Sequence, residues 1–179
     1  MLTLLRRNLF WLRFEVALAI GALVATAVAA PLAKEQDDLL TALSARVVAV
    51  LEQSSPAQHH DHGHEVAEGD KVMCAAEAFG TEPPTARRVA EVQVVYATYF
   101  CASAKPGTPW DFASRISGPV AVTLANPPVV RTAQAGLGYR DGVKALIPAR
   151  HHEQAFAGFA DHTVPLQVRR RYEAAISRS

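Results

Sequence analysis

The sequence predicts an α+β domain behind an N-terminal membrane helix, on three observations. A charge-free apolar run, Val16 to Ala33, follows Arg6, Arg7 and Arg13. Several later segments repeat apolar residues at helical spacing, whereas Val120, Val122 and Leu124 alternate as in a half-buried strand. Proline, glycine and polar clusters cut these segments apart, and helices mixed with a strand pair indicate the α+β class. The expected order is a membrane helix, a small helical pair, a β-hairpin and C-terminal helices. The expected division is 1–33 signal anchor or signal peptide, 34–53 amphipathic stalk helix, 54–69 His-rich flexible linker and 70–179 extracytoplasmic α+β domain.

The apolar run comes first. As a helix its 18 residues would span about 27 Å, near the roughly 30 Å of a bilayer's hydrocarbon core. The arginines before it hold the N-terminus in the cytoplasm, because cationic flanks resist translocation. Lys34-Glu35-Gln36-Asp37-Asp38 on the far side is acidic on balance. A retained anchor is the leading reading: a single pass at the cell membrane with the C-terminus outside. Ala27-Val28-Ala29 with Pro31 behind it also fits a cleavage site, and cleavage would make the chain a secreted one.

Leu40, Leu43, Val47 and Val50 then follow 3-4-3 spacing, widened by Leu39 and Leu51. This helix starts near Pro31 and stops before Ser54-Ser55-Pro56. Its stripe either packs on its own domain or forms a homodimer seam through Leu40, Leu43, Val47 and Val50. From Ser54 to Gly69 the chain is polar and rich in His and Gly, so little regular structure is expected there.

Asp70 caps a predicted helix, Lys71 to Phe79, with Gly80 as its stop. A second helix, from about Thr85 to Ala102, puts Val89, Val92, Tyr96 and Tyr99 on one face. Val120 to Leu124 and Val129 to Gln134 flank Asn126-Pro127-Pro128 and predict the β-hairpin. Short helices are expected over 141–147 and 152–159. The last helix runs from Pro165 to Ile176, with Val164, Val168, Tyr172 and Ile176 on one face. Cys74 and Cys101 are the only cysteines. In an exported chain the even count favours a disulfide, here expected to staple the helical pair; two buried thiols are the alternative.

Charge is uneven along the chain. Residues 34–82 carry 3 basic and 10 acidic side chains, whereas residues 131–179 carry 8 basic and 4 acidic. The two stretches either attract each other or face separate partners. No single large basic surface emerges, so no nucleic-acid partner is expected. Arg169-Arg170-Arg171 reads as a solvated helix face, with an anionic partner or an internal acidic contact as alternatives.

The sharpest chemical feature is His59-His60-Asp61-His62-Gly63-His64-Glu65. Clustered neutral imidazoles suit Zn or Cu, and His59, His60, His62 and His64 are the candidate metal ligands. A flexible loop without supporting residues binds with modest selectivity, so a hydrophilic spacer is the competing reading. His151-His152 and His162 read as surface or cap residues. Gly136 to Gly142 matches no phosphate-loop pattern, and Ser117-Gly118 is not a nucleophile elbow. The catalytic residues are therefore unknown, and the chain leans away from an enzyme.

Three strings, Cys74 to Pro84, Ser117 to Val122 and Ala145 to Arg150, resemble small uncharacterised exported or membrane-anchored proteins of high-GC Gram-positive bacteria, over roughly residues 72–176. The resemblance implies a bacterial, extracytoplasmic protein and no particular activity. The leading functional expectation is a membrane-tethered extracytoplasmic domain that binds another envelope protein. An exported metal-binding protein comes second, and a small enzyme without a recognisable motif third.

Overall fold

The computed structural model describes residues 33–61 and 63–177. The export segment up to residue 32 and the candidate ligand His62 lie outside them. Among the described residues no helix is long and apolar enough to cross a membrane. The chain divides into two units, Met1–Asp38 and Leu39–Ser179, and the sheet belongs to the second.

Four strands form one antiparallel sheet in the order β1-β2-β3-β4. They are β1 (Lys71–Glu82), β2 (Val94–Ala104), β3 (Ser114–Thr123) and β4 (Val129–Thr132). Helix α1 covers residues 33–53. It is followed by α2 (Pro56–Asp61), α3 (Tyr139–Leu146), α4 (His152–Ala157) and α5 (Val164–Ile176). The α+β class and the hairpin agree with the sequence reading.

The expected helical pair does not form. Residues 71–82 and 94–104 are strands paired along their length, with Cys74 opposite Cys101. The reason is that this sheet is covered on both faces. Cys74, Ala76, Ala78, Val95, Ala97, Tyr99, Cys101, Val120 and Val122 cluster with Leu39, Leu43, Val47, Val50 and Leu51 of α1. Met73, Ala75, Ala102 and Ala104 pack against Val168 and Tyr172 of α5. Tyr96 and Ala121 pack with Val143 and Ile147 beside α3 and with Ala155 of α4. Strands buried on both sides lose the apolar–polar alternation that marks a half-exposed strand. The supposed stripe of Val89, Val92, Tyr96 and Tyr99 is split: Val89 is 40% exposed, and Tyr96 and Tyr99 sit on opposite faces.

The α1 stripe is helical as expected. Leu43 and Val47, offered above as dimer-seam residues, are fully buried against the sheet. Burying each such side chain contributes about 1.5–3 kcal/mol relative to leaving it in water. The Cys74–Cys101 disulfide forms and joins β1 to β2 rather than two helices. Gly80 follows a register shift in the β1–β2 ladder instead of ending a helix. Its missing side chain matters because a Cβ there would lie 2.4 Å from Nε2 of His151. His151 is half-buried and is the N-terminal cap residue of α4. Its ring packs between Phe79 and Tyr96.

The 54–69 stretch is also more ordered than its composition suggests. Ser55 and Gln58 form a reciprocal capping pair: the Ser55 N–H donates to Gln58 Oε1 at 2.8 Å and the Gln58 N–H donates to Ser55 Oγ at 3.3 Å. Pro56 follows as the first helical residue. Ser-Pro-x-Gln is a helix start written in the sequence.

Candidate functional site

The two edges of the sheet position everything that follows. At the β1 edge, the Cys74 N–H donates to Glu52 Oε1 at 2.8 Å, and its carbonyl accepts from Arg171 Nη1 at 3.0 Å. Glu52 and Arg171 also pair with each other at 2.8 Å. Four residues further along the strand, the Ala78 N–H donates to Ser44 Oγ at 2.9 Å. Helices from both layers thus occupy the outward peptide groups of β1. The pairing of Arg171 with Glu52 joins the acidic and basic stretches of the chain. Arg169 pairs instead with Glu173 at 2.7 Å and lies over Trp110.

The opposite edge is open. β4 pairs only with residues 120–123 of β3, so among the described residues no strand pairs with 114–119 on that side. At the start of this stretch the Ser114 carbonyl lies 3.4 Å from Nε2 of His64. The Cys74 peptide groups point away from β2, so those of Cys101 opposite it point to β3 and bond with Ile116. Alternation puts Gly118 in the same ladder and leaves Ser117 facing the open edge, with Pro119 offering only its carbonyl. Among the described residues no hydrogen bond reaches the Ser117 peptide group from that side.

A cleft of about 340 Å³ occupies this place. Its floor is the β3 edge from Ile116 to Pro119. One wall is His60, Asp61 and Gly63, and the other is Thr132 to Ala135 with Tyr139. Gly118 lies directly opposite Tyr99 in the ladder. Because Gly118 has no side chain, the otherwise buried Tyr99 (3% exposed) reaches the cleft. A Cβ at Gly118 would stand 3.2 Å from the Tyr139 hydroxyl. Burial raises the pKa of the Tyr99 phenol, and the neighbouring Tyr139 raises it further. Burial raises that of Tyr139 too. Both phenols are neutral hydroxyls, able to donate and accept. Two further hollows adjoin β4, and Asp61 lines all three.

The fold parts His60 from His59 and His64. His59 and His64 are buried side by side, their rings edge-on with centroids 5.3 Å apart. The His60 side chain is 72% exposed and pairs with Glu65 at 3.4 Å. Burial lowers the pKa of His64 against the opposing effects of the Ser114 carbonyl and Glu65. Its Nδ1 is buried without a hydrogen-bond partner among the described residues. Among those residues no three His, Cys, Asp or Glu side chains converge in the manner of a metal site. His152 is held by the Ile147 carbonyl at 2.8 Å, and His162 is exposed.

Comparison with protein-family models, characterised proteins and solved structures finds no match to this chain. The site therefore rests on its geometry. Sequence reading passed over Tyr99, Gly118, Gln134 and Tyr139. The available signal was Gly118 within a strand pattern, which marks a close approach or an opening.

Proposed function

We propose that this chain is an exported, membrane-tethered binding domain whose ligand site is the cleft at the free edge of β3. The observation that carries the reading is the stretch 114–119, which no strand pairs on its outer side, and whose outward Ser117 peptide group and Pro119 carbonyl share the cleft with Tyr99 and Tyr139. Concave sites with a few convergent polar groups are the usual form of a binding site. The address rests on the arginine-flanked run Val16–Ala33, and the Cys74–Cys101 bridge suits an oxidising compartment. The partner class remains that of the envelope.

The test is an NMR screen of the labelled full chain in detergent against mixed peptide, glycan and small-molecule libraries. Binders are expected to shift Gly118, Tyr99 and Tyr139 resonances and to lose affinity in a Tyr139→Ala variant. Binders that perturb only other surfaces would move the site elsewhere.

A second reading, metal capture by the His-rich segment, is favoured by the adjacent burial of His59 and His64. Its test is calorimetric titration with Zn and Cu against a His59→Ala/His64→Ala variant. Loss of tight binding in the variant supports metal capture, and equal weak binding makes the segment a structural wall.

A further inference from the structure

We infer that the cleft takes a primary alkylammonium group, an ammonium head on an apolar stem. This rests on the reading of the cleft as the binding site.

Hydrogen-bond roles decide the head group. Ser117 turns both its N–H and its C=O to the cleft, whereas Pro119 brings only its carbonyl. Asp61 lines the same cleft, and a carboxylate only accepts. On the floor and at Asp61, two carbonyls and a carboxylate thus stand against the single N–H of Ser117. Tyr99 and Tyr139 add neutral phenols, which also accept. Tyr99 is 3% exposed, and among the described residues neither hydroxyl has a hydrogen-bond partner. A buried hydroxyl left unpaired is costly. A ligand atom that bonds it therefore gains what the fold leaves unused.

Charge points the same way. None of the described residues lining the cleft is Lys or Arg. His60 pairs with Glu65 at 3.4 Å, and no cation among the described residues pairs with Asp61. An ammonium carries three donors and no acceptor, so it answers a carbonyl, a phenol oxygen and the carboxylate together. A carboxylate or phosphate meets the same groups as repelling lone pairs and like charge. The stem follows from the rest of the lining, where Ile116, Ala133 and Ala135 offer apolar surface beside these polar groups. A free alkylamine and a lysine side chain share this chemistry.

The experiment uses the isotope-labelled full chain in detergent and follows the Ser117, Gly118 and Tyr139 resonances. The probes are pentylammonium, pentanol, pentanoate and Nα-acetyl-lysine N-methylamide. Pentylammonium is expected to shift these resonances at about millimolar concentration, as a ligand of that size allows. Pentanol should bind at least about fivefold more weakly, for want of charge-assisted hydrogen bonds, and pentanoate should not bind. Asp61→Asn should cost pentylammonium about two- to fivefold, as for a partly exposed ion pair, and leave pentanol unchanged. A tighter lysine derivative assigns the ammonium to a protein side chain, and tighter pentylammonium assigns it to a free amine; each supports the inference. Pentanol or pentanoate binding as well as pentylammonium, or an affinity for pentylammonium unchanged by Asp61→Asn, overturns the ammonium and leaves the cleft reading standing. Silence of every probe while other ligands still shift Gly118 and Tyr139 has the same effect. If nothing binds the cleft, both fall.

Discussion

At one edge of the sheet the Cys74 peptide group of β1 is held from both layers, by Glu52 on its N–H and Arg171 on its carbonyl. At the other edge, the outward Ser117 peptide group and Pro119 carbonyl face an open cleft. The strands differ in the same sense. β1 is a 12-residue strand largely buried along its length, whereas β4 has 4 residues that alternate between exposed and half-buried. A long bare edge is a template for uncontrolled pairing, so proteins cover it or cut it short. Here one edge is covered, and the other is confined to a short stretch between two walls. The contrast separates an edge built for stability from one available for recognition.

The comparison breaks most readily at the covered edge. Replacing both Cys74 and Cys101 with Ala removes a bridge spanning 27 residues. The expected loss is about 3–4 kcal/mol from loop-closure entropy, read as a lower urea midpoint. A loss near zero would mean that the helices alone hold β1 to β2.

The next largest effect separates the edges directly. Glu52→Gln weakens the bond to Cys74 and leaves Arg171 without its carboxylate. Because Glu52 is largely buried and accepts a backbone N–H, the cost should be about 1–3 kcal/mol. Arg131→Ala on β4 should stay within about 0.5 kcal/mol, as an exposed side chain without such a role. Equal losses in chemical denaturation would erase the distinction.

Acidification acts on the wall of the open edge. Burial lowers the folded-state pKa of His64, and burial, aided by Arg150, lowers that of His151. The unfolded chain therefore binds more protons than the folded one in the window below the ordinary histidine value. Stability should be full above about pH 6.5 and fall as the pH drops through that value. A His64→Gln variant should show a shallower acid slope in thermal unfolding. An unchanged slope would assign the effect to His151 or to the carboxylates.

The smallest effect concerns the cleft floor. Gly118→Ala brings a methyl group to 3.2 Å from the Tyr139 hydroxyl. A melting-temperature loss equivalent to about 1 kcal/mol or less is expected, and Tyr139→Phe should relieve it. No relief would place the conflict in the backbone instead.

Local signals were enough for several elements. The apolar stripe of α1, the hairpin and the face of α5 centred on Val168 and Tyr172 all depend on neighbours within one or two turns or one tight connection. The Ser55–Gln58 cap was equally local and could have been read, yet the histidines and acidic residues around it suggested an unstructured linker. By contrast, residues 71–104 look helical in isolation because small and apolar residues fill both faces of the strands.

The amino-acid sequence by itself determined the class, the cysteine pair and the helix that covers one sheet face. Each follows from composition or short-range periodicity, which any isolated stretch of chain retains. Only the tertiary structure decided that 71–82 and 94–104 are strands, since their second face is covered by helices far along the chain. It also buried His59 and His64 while leaving His60 in solvent, and it ended β4 two residues before Gln134. The free edge of β3 arises from that last event. Which peptide groups stay unpaired depends on where every other strand stops, and no local spacing records it.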